Sequence, residues 1–430
     1  MNYAEAEAYI HSFTRFGSQL GLDRMRKLLD LLGNPQDKLK FIHIAGTNGK
    51  GSTTKMSATI LQEAGYRVGM YISPFVVDFR ERFQINGKMI ERSEFTSLVE
   101  EVDVQVRTLA EQGDYVTEFE VITAIAFHYF ERWGCDIVAL EVGLGGTYDA
   151  TNVIRSPECA VITSISMDHV EILGDTLAKI AGEKAGIIKQ GGQAVTYPKQ
   201  EPEALAVLLE RCAKVGGRLV CPNAAAVEIL RLDVLGSQFR YAEEEYCLKL
   251  AGEHQVYNAV AVIEAMAVLR ERGFRIPEEA VKNGLKKAVF PARFEIMSQQ
   301  PLIIVDGAHN RQAAESLADT LKHLDASPKV AIMGMMSDKD YESAVSSVAG
   351  QCPVILTVPV EWNPRALTAE ALAECASRHC GRVKAFRDYG EALEQALEIA
   401  GETGAVIVCG SFYMASDMRK VIRDYLLLPN

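Results

Sequence analysis

The sequence predicts an α/β protein with a doubly wound, mostly parallel sheet domain followed by a smaller C-terminal α/β domain. Three observations predict this class. Short apolar runs alternate with helical patterns from residue 41 to about residue 221, which is typical of a parallel sheet covered by helices on both faces. The same alternation restarts after residue 300. The chain of 430 residues is long enough for two to three domains.

Composition excludes several classes of protein. The chain is 48% hydrophobic and 24% charged, as globular proteins are, and its net charge of −12 argues against a general nucleic-acid-binding protein. The nine cysteines form no C-x-x-C pair, so we expect free thiols in a reducing cytoplasm rather than a zinc cage or disulfide framework. The N-terminus does not resemble a signal peptide, and no apolar run reaches the ~18 residues of a membrane span.

The predicted elements of the larger domain follow in order. Residues 1–40 are expected to form two helices, the second with Asp23 as a possible cap and with Gly33 and Pro35 as stop signals. Strands are then predicted from Phe41 and at 67–72, 136–142, 160–165, 193–197 and 218–221. Helices are predicted at 52–61, 94–109, 119–133, 176–188, 203–215 and 252–272, with a shorter one to about 289. Residues 226–250 break the alternation and are expected to form antiparallel hairpins on the edge of the sheet.

A domain boundary is predicted near residues 291–300, which gives an N-terminal domain of residues 1–296 and a C-terminal domain of residues 297–430. The strands of the second domain are predicted at 302–305, 329–333, 354–357, 383–386 and 405–409. Ligands of such sheets bind beyond the carboxyl ends of the strands. Polar clusters follow several of these ends, and we expect them to face a cleft between the domains: 47–52, Ser73, 141–146, 168–169 and 306–310.

The segment 41–54 has the order of a phosphate-binding loop. An apolar strand is followed by a glycine-rich turn, Lys50, and the hydroxyl residues Ser52, Thr53 and Thr54, which open a helix. In such loops backbone N–H groups wrap the phosphates, and the lysine reaches the terminal ones. The match is imperfect, because Ile44 stands where the first glycine is expected and Gly51 is inserted after the lysine. The alternative is a plain strand–helix turn with a solvated lysine.

Other strand ends carry candidate cation ligands. Glu141 follows an apolar strand, where a carboxylate is costly to bury unless a partner such as magnesium compensates it. Ser52 is able to face such an ion, and His169 is a candidate ligand of a second cation, although imidazole is unusual for a hard ion. The alternatives are a half-exposed strand-end acid and a structural or surface histidine.

Lys184 lies among small and apolar residues, and burial lowers the pKa of a lysine. A neutral amine reacts with carbon dioxide to form a carbamate, which is an anionic metal ligand; an ion-paired lysine is the alternative. Arg80 and Arg82 are able to hold a carboxylate, or are solvated loop arginines. Asp306 ends a strand before a glycine and is a candidate contact to ribose or phosphate, with a plain turn as the alternative.

Taken together, the motifs resemble folylpolyglutamate synthase/dihydrofolate synthase of the Mur ligase superfamily. The resemblance runs in order from about residue 10 to Tyr413, and several motifs together are more specific than any one. The motifs are 45–52, 73–74, 141–146, 168–169 with 173–174, 183–186 and 306–310. One departure is Phe75, which stands where family members commonly have a histidine.

The resemblance implies a P-loop domain with a smaller Rossmann-like domain and an ATP-dependent ligase. ATP phosphorylates a carboxylate of the folate, the amino group of glutamate attacks the acyl phosphate, and ADP and phosphate are released. It also implies two magnesium sites, folate or dihydropteroate and L-glutamate as substrates, no nucleic-acid or membrane partner, and a monomer. Two competing hypotheses are a cell-wall precursor ligase, which usually has an extra domain before the phosphate loop, and a non-catalytic nucleotide-gated binding protein.

The resemblance also assigns roles by position. The phosphate contacts are Gly49, Lys50, Gly51 and Ser52, and further nucleotide contacts are Asn258, Arg293 and Asp306. The magnesium ligands are Ser73, Glu141 and His169, with Lys184 as the carbamylated lysine at the second ion. The pterin-side pocket is formed by Gly21, Leu22, Asp23, Arg24, Thr117, Phe119, Tyr148, Asp149 and Ala150. Arg82 and His309 are expected to orient glutamate, and they join Lys50, Lys184 and His169 as the expected catalytic residues.

Overall fold

A computed structural model describes residues 1–16, 21–361 and 363–427 of the chain. The chain forms two compact units, one of residues Met1–Val227 with Tyr257–Ala288 and the other of Glu228–Val256 with Val289–Asn430. Each unit has a mostly parallel sheet, which confirms the predicted α/β class. The division at residues 296 and 297 stays a prediction, and the compact units differ from it because 228–256 groups with the C-terminal residues.

The first unit is built on an eight-stranded sheet of order β4-β3-β2-β5-β1-β6-β7-β8. Its strands are β1 Phe41–Ala45, β2 Val68–Tyr71, β3 Gln84–Ile85, β4 Lys88–Met89, β5 Ile137–Glu141, β6 Cys159–Ile162, β7 Gln193–Thr196 and β8 Arg218–Val220. Strands β1, β5 and β6 are buried along their whole length, as their continuous apolar runs predict. In the parallel register, Ile44 of β1 lies opposite Glu141 of β5. The carboxyl ends of these central strands therefore lie side by side.

Among the residues that the structure describes, ten α-helices precede residue 288 and belong wholly or mainly to this unit. They are α1 Tyr3–His11, α2 Asp23–Leu31, α3 Lys50–Glu63, α4 Arg92–Glu111, α5 Glu118–Arg132, α6 Val170–Leu173, α7 Leu177–Ala185, α8 Pro202–Lys214, α9 Glu253–Glu271 and α10 Glu278–Lys287. Helices α4 and α5 share a core with Val138 and Leu140 of β5, whereas α7 and α8 share another with Ala160 and Ile162 of β6. Helix α2 begins at Asp23, and Leu22 occupies the N-cap without a side-chain hydrogen bond, so the proposed Asp23 cap was wrong.

Residues 226–250 form antiparallel strands as predicted, but not on the edge of the large sheet. Strands β9 Glu228–Asp233, β10 Gly236–Tyr241 and β11 Glu244–Leu248 make a separate three-stranded sheet of the second unit. The edge prediction was wrong because hairpin periodicity specifies local pairing only. The edges of the large sheet are β8 and β4, and β4 pairs with β3 across Asn86 and Gly87.

The second unit also has a six-stranded sheet of order β12-β13-β17-β14-β15-β16. Its strands are β12 Glu295–Gln299, β13 Leu302–Val305, β14 Lys329–Met333, β15 Val354–Thr357, β16 Arg382–Ala385 and β17 Ala405–Cys409. Its helices are α11 Arg311–Leu321, α12 Tyr341–Ala349, α13 Ala369–Ser377, α14 Tyr389–Ala400 and α15 Phe412–Leu427. Strand β12 was not predicted, because it is an antiparallel edge strand within the stretch assigned to the domain boundary. Within the described ranges, every helix is too short or too polar to cross a bilayer.

Candidate active site

The loop between β1 and α3 approaches neighbouring residues so closely that glycine is required at two positions. Gly49 is the N-cap of α3 with φ of 88°, and a Cβ there would lie 2.7 Å from Oδ1 of Asn258. A Cβ on Gly46 would overlap Oγ1 of Thr163 at 1.8 Å. The loop thus places backbone N–H groups at the start of a 14-residue helix, where the helix dipole favours an anion.

Lys50 is the first residue of α3, and its ammonium group folds back over the loop. Its Nζ donates hydrogen bonds of 3.1 Å to the carbonyl oxygens of Gly46 and Thr47. Ser52, one turn into the helix, is 1% exposed. Asn258 of α9 lies beside Gly49, so the structure brings this sequence-predicted nucleotide contact to the phosphate loop. The ammonium group of Lys50 is therefore held next to the backbone N–H groups at the start of α3.

Lys184 of α7 contacts the same loop, although it lies far from the loop in the sequence. It is 3% exposed, and its Nζ donates a 2.9 Å hydrogen bond to the Gly46 carbonyl. Burial, with a smaller contribution from the charge of Lys50, lowers the pKa of Lys184 to about 7. A substantial fraction of its amine is therefore neutral near pH 7, which is the form that reacts with carbon dioxide.

Ser73 and Glu141, two of the three predicted magnesium ligands, lie together after β2 and at the end of β5. The Ser73 N–H donates to Oε2 of Glu141 over 3.4 Å, and Glu141 is 4% exposed. Arg82 donates from Nη1 to the Ser73 hydroxyl at 3.0 Å. The guanidinium of Arg82 also lies over the ring of Phe75, 5.2 Å from its centroid. Phe75, which stands where family members commonly have a histidine, thus packs against Arg82, the arginine that was predicted to orient glutamate.

The donor set of Ser73 and Glu141 fits a magnesium ion, because hydroxyl and carboxylate oxygens are hard ligands. The third predicted ligand, His169, lies on a separate loop at the N-cap of α6, with φ of 51° and a side chain 39% exposed. Its Nε2 is 4.0 Å from Oδ2 of Asp168. No group of three His, Cys, Asp or Glu side chains in the described residues is arranged to hold a metal. The three-residue ligand set stays a prediction.

A cavity of about 460 Å³ lies beside Ser73 and Arg82 in the first unit. Six of the nine residues predicted for the pterin side line it: Gly21, Thr117, Phe119, Tyr148, Asp149 and Ala150. Leu173 and Glu183, from the motifs 173–174 and 183–186, also line it. Other lining residues were not predicted, since their elements are far apart in the chain: Thr14, Glu118, Glu120, Ile122 and Ile172. The predicted phosphate-binding residues and the predicted pterin-pocket residues therefore lie in the same unit.

The other three residues predicted for the pterin side, Leu22, Asp23 and Arg24, are not among the residues that line this cavity. Arg24 forms an ion pair of 3.1 Å with Glu120. Thr117 caps α5 by accepting from the Glu120 N–H, while its own N–H donates to the Glu120 carboxylate. This capping box was readable from the sequence as Thr117-x-x-Glu120. Asp23 is exposed and pairs with Arg26, and Leu22 precedes the helix.

The second unit carries Arg293, Asp306 and His309 around one aromatic ring. The guanidinium of Arg293 lies 4.2 Å from the centroid of Phe412, and the His309 ring lies 5.3 Å from the same ring. Asp306 accepts backbone N–H bonds of Phe294 at 2.7 Å and of Ala308 at 2.8 Å. Burial raises the pKa of Asp306, and the charge of Arg293 opposes that effect.

The segment that presents Arg293 has two residues in the left-handed region. Ala292 and Phe294 have φ of 52° and 46°, which side chains with a Cβ rarely adopt. Glu295 holds this segment by accepting the Ala292 N–H at 2.8 Å, and Arg419 in turn pairs with Glu295. The strained backbone is thus stabilised by an ion pair whose arginine is 4% exposed.

Comparisons with known proteins identify two family domains in the chain. A family profile described as the Mur ligase middle domain matches residues 44–266. A second profile, described as Mur ligase, glutamate ligase domain, matches residues 292–412. The first match alone covers more than half of the chain and includes the phosphate loop, Ser73, Glu141 and Lys184.

Relatives match over nearly the whole chain. Dihydrofolate synthase/folylpolyglutamate synthase of Bacillus subtilis is 37% identical, covering 98% of this chain and 99% of the relative. Folylpolyglutamate synthase of Lacticaseibacillus casei is 36% identical, with coverage of 98% and 99%. The structure of Mycobacterium tuberculosis folylpolyglutamate synthase complexed with ADP and AMPPCP matches with a TM-score of 0.88 and 30% identity, covering 98% of this chain and 99% of that one.

The structure of E. coli FolC in complex with DHPP and ADP matches with a TM-score of 0.86 and 30% identity, covering 99% of each chain. One protein family is thus indicated by two domain profiles, by relatives above 30% identity over their full length, and by structures with the same fold. The chain belongs to the folylpolyglutamate synthase/dihydrofolate synthase family of the Mur ligases.

Proposed function

We propose that this protein is an ATP-dependent ligase that joins L-glutamate to a carboxylate of a folate substrate. The observation that carries the proposal is the arrangement of the first unit. The phosphate loop with Lys50 and Lys184 and the cavity beside Ser73 and Arg82 belong to one unit, so a site for a triphosphate and a site for an organic acceptor are both present.

The chemistry requires activation of a carboxylate, which is a poor electrophile. An oxygen of the substrate carboxylate attacks the γ-phosphorus of ATP, the bond from that phosphorus to the ADP oxygen breaks, and an acyl phosphate forms. The amine nitrogen of glutamate then attacks the acyl carbon, the bond to the phosphate oxygen breaks, and the nitrogen loses a proton. Lys50 and the N–H groups of the loop stabilise negative charge on the transferring phosphoryl group.

Ser73 and Glu141 would hold a magnesium ion, and a carbamate on Lys184 would supply a ligand for a second one. Two features favour the carbamate: the lowered pKa of Lys184 and its burial beside the loop carbonyl of Gly46. Magnesium, when bound, neutralises charge on the phosphate oxygens. We also propose that His169 is a magnesium ligand together with Ser73 and Glu141.

The cavity suits a flat, conjugated acceptor. Phe119 and Tyr148 contribute aromatic surface, and Tyr148 is 49% exposed, so its ring is open to a ligand. Dihydropteroate and tetrahydrofolate share a pteridine and an aminobenzoyl ring, and both activities appear in the names of relatives. We propose that Arg82 and His309 orient glutamate and that Arg293, Asp306 and Asn258 contact the nucleotide.

Other properties are proposed with the function. The nine cysteines are all free, and seven are buried, which favours a reducing, cytoplasmic location. A monomer is expected, and its mass in solution tests that expectation. ATP is the expected nucleotide, because structures of family members are complexes with ADP or AMPPCP.

The decisive experiment measures ADP and phosphate release from ATP in the presence of magnesium, L-glutamate and either tetrahydrofolate or dihydropteroate. We expect release that needs both the acceptor and glutamate, together with a product heavier by one glutamate residue in mass spectrometry. A mixture with a uridine-nucleotide cell-wall precursor and an amino acid serves as the comparison. Release with that precursor alone would contradict the proposal and favour the cell-wall alternative.

A further inference from the structure

A buried chain of hydrogen bonds connects the strand before the phosphate loop to the wall of the cavity. Nε2 of His43, on β1, lies 2.9 Å from Oγ1 of Thr151. The Thr151 hydroxyl donates to Oδ1 of Asp149 at 2.5 Å. His43 and Thr151 are fully buried and Asp149 is 7% exposed. None of the sequence motifs assigned a role to His43 or Thr151.

The direction of these bonds follows from their chemistry. Burial, assisted by the charge of Lys189, lowers the pKa of His43 to about 3, so its ring is neutral. The Asp149 carboxylate only accepts, so the hydrogen of the Thr151 hydroxyl points to Asp149. Thr151 must then accept from an Nε2–H of His43. The Nδ1 of His43 is left as an unprotonated nitrogen, which agrees with its having no hydrogen-bond partner among the described residues.

At its other end this chain of hydrogen bonds holds the backbone of the cavity wall. Oδ2 of Asp149 accepts the Leu144 N–H at 2.9 Å, and Oδ1 also accepts the Thr151 N–H at 3.0 Å. Protein donors therefore occupy most of its acceptor positions, although Asp149 lines the cavity. This arrangement fixes the orientation of the Asp149 carboxylate in the cavity wall.

A second set of bonds fixes the same short segment. Lys189 donates from Nζ to the Asn152 carbonyl at 3.0 Å. The Asn152 side-chain amide donates to the Thr147 carbonyl at 3.0 Å. Residues 149–152 are thus held from both sides, and the cavity residue Leu144 is held to them through Asp149.

We propose that His43 is a positioning residue that acts through Thr151 to fix Asp149, and with it the backbone of Leu144, in the wall of the cavity that binds the pteridine-bearing acceptor. The inference rests on the proposed function and deepens it, because it names what shapes the acceptor site.

Two matched pairs of variants test the proposal. His43→Gln keeps an N–H donor near the place of Nε2, whereas His43→Leu removes it. Thr151→Ser keeps the hydroxyl, whereas Thr151→Val replaces it with a methyl group of similar size. Thr357→Val serves as the control, because it removes another fully buried hydroxyl, which donates to Ala369 in the second unit.

The first readout is kinetic. We expect His43→Leu and Thr151→Val to raise the KM for tetrahydrofolate or dihydropteroate about tenfold, the effect of losing one buried hydrogen bond. The KM for ATP and kcat should change less than about threefold, and His43→Gln and Thr151→Ser should restore most of the acceptor KM. Equal increases in the KM for ATP and for the acceptor, or no difference within a pair, would overturn the proposal.

The second readout needs no activity. Hydrogen exchange of the peptide 142–147 reports the Leu144 amide, which should exchange faster in His43→Leu and Thr151→Val than in their partners. The peptide 76–81 is the internal control, since its amides at 76–78 bond to Glu81 instead. Unchanged exchange at 142–147 would refute the positioning role. This holds even if the wild-type protein shows no folate-dependent ADP release, a result that would refute only the proposed function.

If His43→Leu does not fold, the Thr151 pair carries both readouts. Thr151→Val has the smaller change in shape, because valine and threonine differ only in the hydroxyl group. A Thr357→Val protein that matched Thr151→Val in acceptor KM would show a general effect of lost stability and would overturn the proposal.

Discussion

Lys50 and Lys184 donate hydrogen bonds from their ammonium groups to one atom, the carbonyl oxygen of Gly46, at 3.1 and 2.9 Å. The charge of Lys50 is the second contribution to the lowered pKa of Lys184, after burial. A bound triphosphate would supply the negative charge that this arrangement favours. The carbonyl of Gly46 thus links the two lysines that the sequence placed 134 positions apart.

Replacement of Lys50 should remove phosphoryl transfer without unfolding the protein. We expect Lys50→Ala to lower kcat about 10²- to 10³-fold, because a preorganised positive charge on the transferring group is lost. ADP release measures this effect. Lys55→Ala is the matched control, since Lys55 lies on the same helix but outside the loop. Equal losses in the two variants would contradict a specific role for Lys50.

Glu141 should control the magnesium requirement. We expect Glu141→Gln, which keeps the size of the side chain but removes its charge, to raise the magnesium concentration for half-maximal activity about 10- to 100-fold. A magnesium titration of ADP release at saturating ATP measures it. Glu171→Gln, an exposed glutamate two residues after His169, should behave as wild type. A magnesium curve that does not shift in Glu141→Gln would exclude Glu141 as a ligand.

The buried amine of Lys184 should make stability depend on pH. Its pKa is about 7 in the folded chain, against an ordinary value of 10.5, so between these values the unfolded chain binds more protons and stability rises with pH. Below about pH 7 the amine is charged in both the folded and the unfolded chain, so the full free-energy cost of burying the charge remains. Lys184→Met removes the group, so its gain in Tm over wild type should be largest at or below about pH 7 and should shrink toward about pH 10.

The measurement is thermal unfolding at several pH values in buffer freed of carbon dioxide, which keeps the amine unmodified. Lys179→Met, at an exposed lysine of the same helix, is the control and should show no such trend. Added bicarbonate should raise the activity of the wild-type enzyme if Lys184 carries a carbamate. A Lys184→Met gain that is independent of pH would show that the folded-state pKa is not lowered.

Arg419 and Glu295 should stabilise the second unit and the loop that presents Arg293. Arg419 is 4% exposed and Glu295 is 24% exposed in their side chains. Arg419→Met leaves a mostly buried carboxylate unpaired and should destabilise the unit by about 3 kcal/mol, the lower end for a buried pair. Differential scanning calorimetry measures the loss. The double variant Arg419→Met/Glu295→Gln should recover part of it, and no recovery would show that lost packing, not the unpaired charge, dominates.

Local pattern in the sequence predicted most of the elements of both sheets. Apolar runs such as 137–140 are buried on both faces, and the strand–glycine turn–lysine order forms a loop at the start of α3 as expected. Strand β12 and the separate sheet of β9 to β11 were missed or misplaced. Their pairing depends on partners distant in the chain, and no local period encodes which partner a strand takes.

The sequence by itself determined the phosphate loop, the acidic and basic residues at the strand ends and the family to which they belong, because these signals lie within short stretches. Only the tertiary structure decided that Lys50 and Lys184 share the Gly46 carbonyl, that Arg82 bonds to Ser73, and that His43 reaches Asp149 through Thr151. The reason is physical: burial and the parallel register of β1, β5 and β6 bring distant residues within hydrogen-bonding distance, and neither can be read from a single stretch of chain.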